Sequence, residues 1–231
     1  MVSRPVRPRL LASPADIKDG VRALKRACPG MAKAHAAVGD PPLRRWSPAF
    51  DGLVRIVVGQ QLSTASAVAI QSRLAIAVDP LDAAGLLAAS EATLRGAGLS
   101  AGKIATLRAL AAAVADGQLG FDQLGSCSAD DVRSQLTAIR GVGPWTADIY
   151  LMFCRGDADG FAPGDLALQI GAQKLLELDA RPGAADLEHI AERWQPWRGV
   201  AARMLWSYYA FDKSTAKDQR KKQISERNGR G

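Results

Sequence analysis

Two segments of the sequence combine residue types that could act on a charged ligand. The first, Gly141-Val142-Gly143-Pro144, separates two stretches of helical periodicity. The second places Asp165 after a loop containing Gly and Pro and directly before another helical stretch. Glycine permits positive φ and close approach of another backbone, and proline suits the first turn of a helix. The pattern predicts a helical hairpin, followed by a helix that begins at an aspartate.

Each segment has a structural and a functional interpretation. Main-chain N–H groups around Gly141 and Gly143 could point outward beside the helix that begins at Pro144, forming an anion site without a basic side chain. The same glycines could instead only make the turn of an ordinary helical hairpin. Asp165 could be an N-cap, a reactive carboxylate or both. The local sequence does not decide among these interpretations.

Helical periodicity extends along almost the whole chain, and no segment alternates with the period of a strand, which predicts an all-α fold. Capping boxes at Ser13 and Ser128 mark two helix starts, and Pro29-Gly30 is expected to end the first helix. Asp157 and Asp159 lie in a polar loop and are expected to be solvated. The predicted helices cover 14–28, 49–58, 63–78, 81–89, 91–95, 103–115, 128–139, 144–154, 166–178, 184–194 and 197–211.

The positive charge is concentrated at the ends of the chain. The formal net charge is +7, from 30 basic and 23 acidic residues, and the first ten residues and the segment 212–231 account for all of it. The rest of the chain is neutral, so composition does not predict a basic binding face. Basic tails at 1–12 and 213–231 could attract nucleic acid non-specifically or simply be frayed, solubilising ends.

Composition also bears on metals and on location. Cys28, Cys127 and Cys154 are far apart and no CxxC occurs, which argues against a zinc site or a disulfide framework. His35 and His189 are expected at the surface. No apolar run reaches the length of a membrane span and the N-terminus has no apolar signal core, so a reducing cytoplasm is the expected location.

Four segments in order resemble the helix-hairpin-helix DNA glycosylase superfamily, and specifically its DNA-3-methyladenine glycosylase II branch. The resemblance covers roughly residues 15 to 211 and favours the anion-binding interpretation of the hairpin. Its segments are the turn-bearing helix 53–63, the hairpin 136–148, the loop and aspartate 161–168, and 191–198 followed by Trp206.

The resemblance implies a monofunctional glycosylase that hydrolyses the N-glycosidic bond of alkylated purines, of the 3-methyladenine and 7-methylguanine type, in base excision repair. Asp165 would be the catalytic carboxylate, stabilising an oxocarbenium-like sugar or activating water. Trp145 stands where lyase relatives carry a lysine, so no Schiff base and no lyase activity are expected. The alternatives are a glycosylase for deaminated or oxidised bases and a non-catalytic DNA-damage binding module.

The resemblance also implies roles for other residues. Trp145 and Trp206 would line the base pocket, although core packing is the alternative role for both. A monovalent cation could bind the main-chain oxygens of Thr137, Ile139 and Val142, whereas no iron–sulfur cluster is expected, because its cysteine cluster is absent. The expected DNA contacts are the hairpin residues Gly141, Val142, Gly143 and Thr146 and the turn residues Gln60, Gln61, Leu62 and Ser63. Gln61, together with Leu62, would fill the gap left by a flipped base, whereas Gln60 and Ser63 could touch the DNA backbone or cap the next helix. The alternative is an ordinary polar turn between helices with Ser63 as the N-cap.

The expected architecture is one catalytic unit, 13–212, made of two helical lobes with a DNA-binding cleft between them. One lobe would comprise about 51–163, and the other about 13–50 together with 164–212. The hairpin and Asp165 are expected to face the cleft. The expected partner is double-stranded DNA with damaged bases, bound by a monomer in the bacterial nucleoid or, in a eukaryote, the nucleus.

Overall fold

The all-α prediction is confirmed. The computed structural model describes residues 9–228, with side chains as far as residue 217 and that of residue 219. Within this range the regular elements are helical, and the β-type contact is an isolated bridge between Leu10 and Asp157. The helices are α1 (Pro14–Ala27), α2 (Pro29–Val38), α3 (Phe50–Gly59), α4 (Thr64–Ala77), α5 (Ala83–Ala88), α6 (Glu91–Gly96), α7 (Ala101–Ala115), α8 (Phe121–Ser126), α9 (Ala129–Thr137), α10 (Pro144–Ile149), α11 (Leu166–Leu175), α12 (Ala184–Ala191) and α13 (Arg198–Asn228). A π-helical turn, Tyr150–Arg155, continues α10, and a 3-10 turn, Glu192–Trp194, follows α12.

Side-chain caps start many of these helices where the sequence places them. Ser13 and Ser128 form the predicted capping boxes with Asp16 and Asp131. Ser63 caps α4 in the same way by accepting from the main-chain N–H three residues on. An N-cap hydroxyl satisfies one of the N–H groups that the first turn leaves without a partner.

Several helices differ from the sequence-based expectation. Pro29 occupies the first position of α2, so Pro29-Gly30 starts a second helix as well as ending the first. The short helix α8 has no predicted counterpart. Helix α13 continues to Asn228 as one element, so the segment after 212 is helical as far as that residue and not a frayed end. Residues 1–8 and 229–231 of the expected tails lie outside the described residues.

One compact unit comprises the chain up to Leu10 and Arg44–Gly160, and therefore holds α3 to α10. Helix α7 packs against α3, α5 and α6 in this unit. Its buried Leu107 and Leu110 belong to the same core as Leu53 and Val57 of α3. Removal of such side chains from water supplies the main stabilisation of a helical unit.

The other compact unit comprises Leu11–Leu43 and the chain from Phe161 onward, and therefore holds α1, α2 and α11 to α13. Helix α13 packs against α1, α2 and α11. Gly171 lets α11 approach α13 closely, because a Cβ at this position would lie 2.9 Å from the main-chain oxygen of Leu205. Helix α11 carries Asp165 at its start and α13 carries Trp206.

The loop from 155 to 164 is not the solvated loop that its polar sequence predicts. Asp157 is only 4% exposed and forms an ion pair with Arg155, which is 5% exposed. The guanidinium of Arg155 also donates to the main-chain oxygens of Leu124 and Cys127. Burial of both charges together satisfies their hydrogen bonds, which an isolated buried carboxylate could not do.

The first described residues are also part of the fold. The main-chain oxygen of Arg9 accepts a hydrogen bond from Ala158, and Leu11 is fully buried. No helix within residues 9–228 has the length and apolar character needed to cross a bilayer.

Candidate functional site

Asp165 is fixed by the helix that it begins. Its Oδ1 accepts hydrogen bonds from the main-chain N–H groups of Ala167, at 3.0 Å, and Leu168, at 3.1 Å. These two donors belong to the first turn of α11, where the helix dipole favours a negative charge. The N-cap interpretation is therefore correct, and the half-buried carboxylate has a defined orientation.

Trp206 contributes a third donor to the same oxygen. Its indole Nε1–H lies 3.0 Å from Oδ1 of Asp165. The close approach of α11 and α13 at Gly171 brings these two side chains together. Sequence analysis assigns Trp206 to the wall of a base pocket, whereas the geometry shows that this half-buried indole also orients the carboxylate.

The predicted hairpin is present between α9 and α10. Gly141 has φ of +86°, and Gly143 is the N-cap of α10, with Pro144 in its first turn. Val142 is buried, and its N–H donates to the main-chain oxygen of Ile139. Within residues 9–228, the N–H groups of Gly141 and Gly143 donate to no protein acceptor, and Gly141 itself is exposed. The turn therefore offers two main-chain donors beside a helix N-terminus.

Helix α7 packs closely against this turn at Gly141. A Cβ at position 141 would lie 2.0 Å from Oγ1 of Thr106 on α7, so glycine is required both by φ and by space. On the hairpin itself, Arg133 of α9 donates to Asp148 of α10 at 2.7 Å and to Asp130 at 2.9 Å. Sequence analysis does not identify Thr106, Arg133 or Asp148, because the first contact is remote in sequence and the ion pair joins two helices.

The turn between α3 and α4, here called the wedge turn, comprises Gln60, Gln61, Leu62 and Ser63. Gln61 has φ of +55°, which is uncommon for a residue other than glycine. Gln61 and Ser63 are exposed, and Leu62 is 39% exposed although it is a large apolar residue. The wedge turn therefore presents an apolar side chain and an amide to solvent.

Thr146 has a different environment from the one expected of a DNA contact. Its side chain is only 1% exposed, and its hydroxyl accepts a hydrogen bond of 2.9 Å from Nε2 of Gln60. Thr146 thus links α10 to the wedge turn and does not offer its hydroxyl to a ligand. The other aromatic residue expected in the pocket, Trp145, is half-buried at the second position of α10.

Two buried side chains outside this site, those of Cys154 and Tyr150, have raised pKa values. Burial raises the pKa of the Cys154 thiol to about 12, so it is a poor nucleophile. Burial also raises the pKa of Tyr150, whose hydroxyl donates to the main-chain oxygen of Pro48. No group of three or more His, Cys, Asp or Glu side chains within residues 9–228 is placed to hold a metal ion.

Known proteins are similar to this chain in sequence and in fold. A probable bifunctional transcriptional activator/DNA repair enzyme AlkA from Mycobacterium tuberculosis is 41% identical over 101 residues, which are 44% of this chain and 19% of that protein. The chain thus spans about a fifth of that curated relative. The structure of a DNA-3-methyladenine glycosidase from Bacillus halodurans matches with a TM-score of 0.70 and 33% identity, covering 88% of this chain and 93% of the other. That of the Schizosaccharomyces pombe 3-methyladenine DNA glycosylase Mag1 in complex with abasic DNA matches with a TM-score of 0.76 and 25% identity, covering 81% and 95%.

A family model covers the segments that carry the hairpin, the wedge turn and Asp165. It is described as HhH-GPD superfamily base excision DNA repair protein and matches residues 54–196, which is more than half of the chain. The chain therefore belongs to the HhH-GPD superfamily of base excision DNA repair proteins.

Proposed function

We propose that this chain is a monofunctional DNA glycosylase that hydrolyses the N-glycosidic bond of alkylated purines in double-stranded DNA. The observation that carries the proposal is the carboxylate of Asp165, held at one oxygen by two main-chain N–H groups and the Trp206 indole. A carboxylate fixed in advance stabilises developing positive charge without reorganisation during the reaction. The names of the Bacillus halodurans and Schizosaccharomyces pombe relatives support the same class of substrate.

The reaction needs little beyond this carboxylate. When the bond between C1′ and the base breaks, its electron pair leaves with the base and the sugar becomes oxocarbenium-like. A 3- or 7-alkylated purine carries a positive charge, so it departs as a neutral molecule without a general acid. Asp165 stabilises the sugar cation, and it can accept a proton from the water that adds to C1′.

In this proposal, the hairpin binds the phosphate backbone of the DNA. The N–H groups of Gly141 and Gly143 suit a phosphate oxygen, and the positive end of α10 adds to the attraction. The main-chain oxygens of Thr137 and Val142 accept no hydrogen bond from the described residues, while that of Ile139 accepts one from Val142. Such a set of carbonyl oxygens fits a hard monovalent cation, which would bring positive charge toward a DNA phosphate.

Two features support alkylated bases as substrates and release of the base without strand cleavage. The indole rings of Trp145 and Trp206 can stack on a purine, and an electron-rich face attracts a cationic base. Trp145 has no amine with which to attack C1′, so no covalent adduct with the sugar forms. The product is an abasic site in an uncut strand. We expect the enzyme to act as a monomer, because a groove-binding protein needs no second copy to contact one lesion.

The test is release of free base from duplexes carrying 7-methylguanine, 3-methyladenine, hypoxanthine or 8-oxoguanine. We expect the wild type to release the alkylated purines, and Asp165→Asn to lower the single-turnover rate by at least about 100-fold. Asparagine keeps a side-chain oxygen that can cap α11, so folding is preserved. Asp186→Asn, which alters an exposed carboxylate in the first turn of α12, is the matched control and retains full activity.

Four results would overturn the proposal. Equal rates for the wild type and Asp165→Asn would remove the carboxylate from the chemistry. Release restricted to hypoxanthine or 8-oxoguanine would change the substrate class, and lesion binding without release would indicate a binding module. A borohydride-trapped adduct or a cut strand would show that the enzyme is not monofunctional.

A further inference from the structure

The C-terminus of α3 depends on a side chain from another helix. The last four carbonyl groups of a helix have no intrahelical partner. At the end of α3, Val57 accepts from the N–H of Gln60, and Gly59 accepts from the N–H of Leu62. The carbonyl of Val58 between them receives its hydrogen bond from the side chain of Lys103 on α7.

The ammonium of Lys103 binds one carbonyl group at the end of α3 and another at the first residue of the wedge turn. Its ammonium lies 2.7 Å from the main-chain oxygen of Val58 and 3.0 Å from that of Gln60. No carboxylate within the described residues forms an ion pair with it. The charge of Lys103 is therefore directed at main-chain carbonyl groups, which fixes the position from which the wedge turn leaves α3.

The position of Lys103 is unfavourable for its own helix. It is the third residue of α7, whose N-terminus carries the positive end of the helix dipole. The head of the side chain instead reaches the negative end of α3, where a cation is favourable. A residue that breaks a local preference and gains a contact elsewhere is often part of a site.

Composition points to the same residue. The segment 44–160 contains nine arginines and only one lysine, Lys103. An ammonium is a compact charge that can donate to two carbonyl oxygens at different angles, whereas a guanidinium donates in a planar fork that suits carboxylates. Two carbonyl oxygens on a tight turn favour the ammonium.

We propose that Lys103 is a positioning residue that holds the wedge turn in the conformation needed to enter DNA and replace an extruded base. The wedge turn has a second anchor, the hydrogen bond from Gln60 to buried Thr146. Immediately after these two contacts, Gln61 adopts positive φ and Leu62 is exposed, so the start of the wedge turn must be constrained to keep this shape. This inference rests on the proposed function, because the wedge matters only to an enzyme that extrudes a base.

The test compares one lesion in two settings: 7-methylguanine paired with cytosine, and the same base unpaired in a one-nucleotide bulge. A wedge assists extrusion of the paired base, whereas an unpaired base needs little assistance. We expect Lys103→Met to slow release of the paired base about tenfold or more and of the bulged base less than about twofold. Lys103→Arg should recover part of the loss. Arg95→Met removes an exposed cation from the same unit and should leave both rates unchanged.

The result separates this inference from the proposed function. Equal loss on both substrates, or no loss on either, would overturn the positioning role. If the wild type released neither base, the proposed function would fail instead. Amide hydrogen exchange at residues 60–63 of the DNA-free protein then provides an independent readout, since Lys103→Met should accelerate exchange there relative to Arg95→Met. Unchanged exchange would overturn the inference. If Lys103→Met does not fold, Thr146→Val, which removes the other anchor, should give the same selective loss.

Discussion

A carboxylate that caps a helix is positioned by the backbone. Asp165 is such a residue, and two of the donors to its Oδ1 are peptide groups of α11. Peptide donors cannot rotate away, so they provide the preorganisation that electrostatic catalysis requires. In this site the structural role of Asp165 as an N-cap and the proposed catalytic role of the same carboxylate support each other.

The indole of Trp206 adds a donor that can be removed without removing the ring. Trp206→Phe deletes the N–H that reaches Asp165 and keeps an aromatic surface. We expect base release to slow about 5- to 30-fold, because a hydrogen bond to a charged group contributes about 1.5–3 kcal/mol and this one is half-exposed. Single-turnover rates with saturating enzyme measure the effect on the chemical step.

The control for Trp206→Phe is Tyr208→Phe, which also alters a half-buried aromatic residue of α13. Tyr208→Phe should retain the wild-type rate. A loss confined to substrate affinity in Trp206→Phe would indicate that the indole only lines a pocket, as the sequence suggests. An unchanged rate would show that the two peptide donors suffice to orient Asp165.

For individual residues, the sequence predicts roles that depend on chain neighbours and does not predict contacts between residues far apart in the chain. The N-cap role of Asp165 follows from its own neighbours and is correct. The contact of Trp206 with Asp165 spans 41 residues, and that of Thr146 with Gln60 spans 86. Asp157 is predicted to be a solvated loop residue, yet it is buried with its partner Arg155, which donates to the main-chain oxygens of Leu124 and Cys127. The residue types next to each partner in the sequence do not indicate these contacts.

Among the elements, α7 determines the geometry of both proposed DNA contacts. Lys103 holds the wedge turn, and Thr106, less than one helical turn further on, lies under Gly141 of the hairpin. Residues three apart in a helix lie on the same side. One face of α7 therefore fixes two loops that are far apart in the sequence.

The hairpin glycines differ in what they tolerate, and this gives a matched pair of variants. Gly141→Ala introduces a Cβ at φ of +86° and 2.0 Å from Oγ1 of Thr106. We expect it to lower the free energy of unfolding by about 2 kcal/mol and to weaken DNA binding about tenfold, because the turn must shift. Denaturant unfolding and fluorescence anisotropy with a labelled duplex measure the two effects.

Gly143→Ala is the comparison, since a Cβ at position 143 meets nothing within 4 Å and φ is −96°. It should change stability by less than about 1 kcal/mol. Adding Thr106→Ala to Gly141→Ala should restore part of the stability, and the double-mutant cycle gives the coupling between α7 and the hairpin. Additive effects of these two substitutions would argue against a steric origin.

Capping residues locate several helix boundaries correctly, but α7 begins at Ala101 after the cap Ser100 and not at the predicted residue 103. Ser13, Ser63 and Ser128 locate three helix starts. The π-helical turn Tyr150–Arg155 leaves no such signal, because one additional residue per turn does not alter the residue types required. The sequence does not predict α2, because Pro29 satisfies the rules for a helix stop and for a helix start.

For the whole molecule, the distribution of charge indicates that one part of the chain attracts any DNA duplex and another part makes the specific contacts with it. The chain between the first ten residues and residue 212 is neutral, and the segment 217–231 alone contains six basic and two acidic residues. Helix α13 carries this segment as far as Asn228. A cationic segment increases affinity for any duplex through release of counterions, whereas main-chain donors of the hairpin depend little on net charge.

Deletion of 217–231 tests this division while keeping the ion pair between Lys174 and Asp212. We expect weaker binding to undamaged duplex at low salt and a smaller slope of log affinity against log salt, by about 1 to 5, since each phosphate neutralised contributes about 0.9. The single-turnover rate of base release at saturating enzyme should remain unchanged, because Asp165 and its donors are retained. A variant that keeps all 231 residues but replaces Lys217, Arg220, Lys221 and Lys222 by Gln separates charge from length and should reproduce most of the change in slope. The same slope in all three proteins would contradict the proposed division, and a lower saturated rate would place the C-terminal segment in the reaction itself.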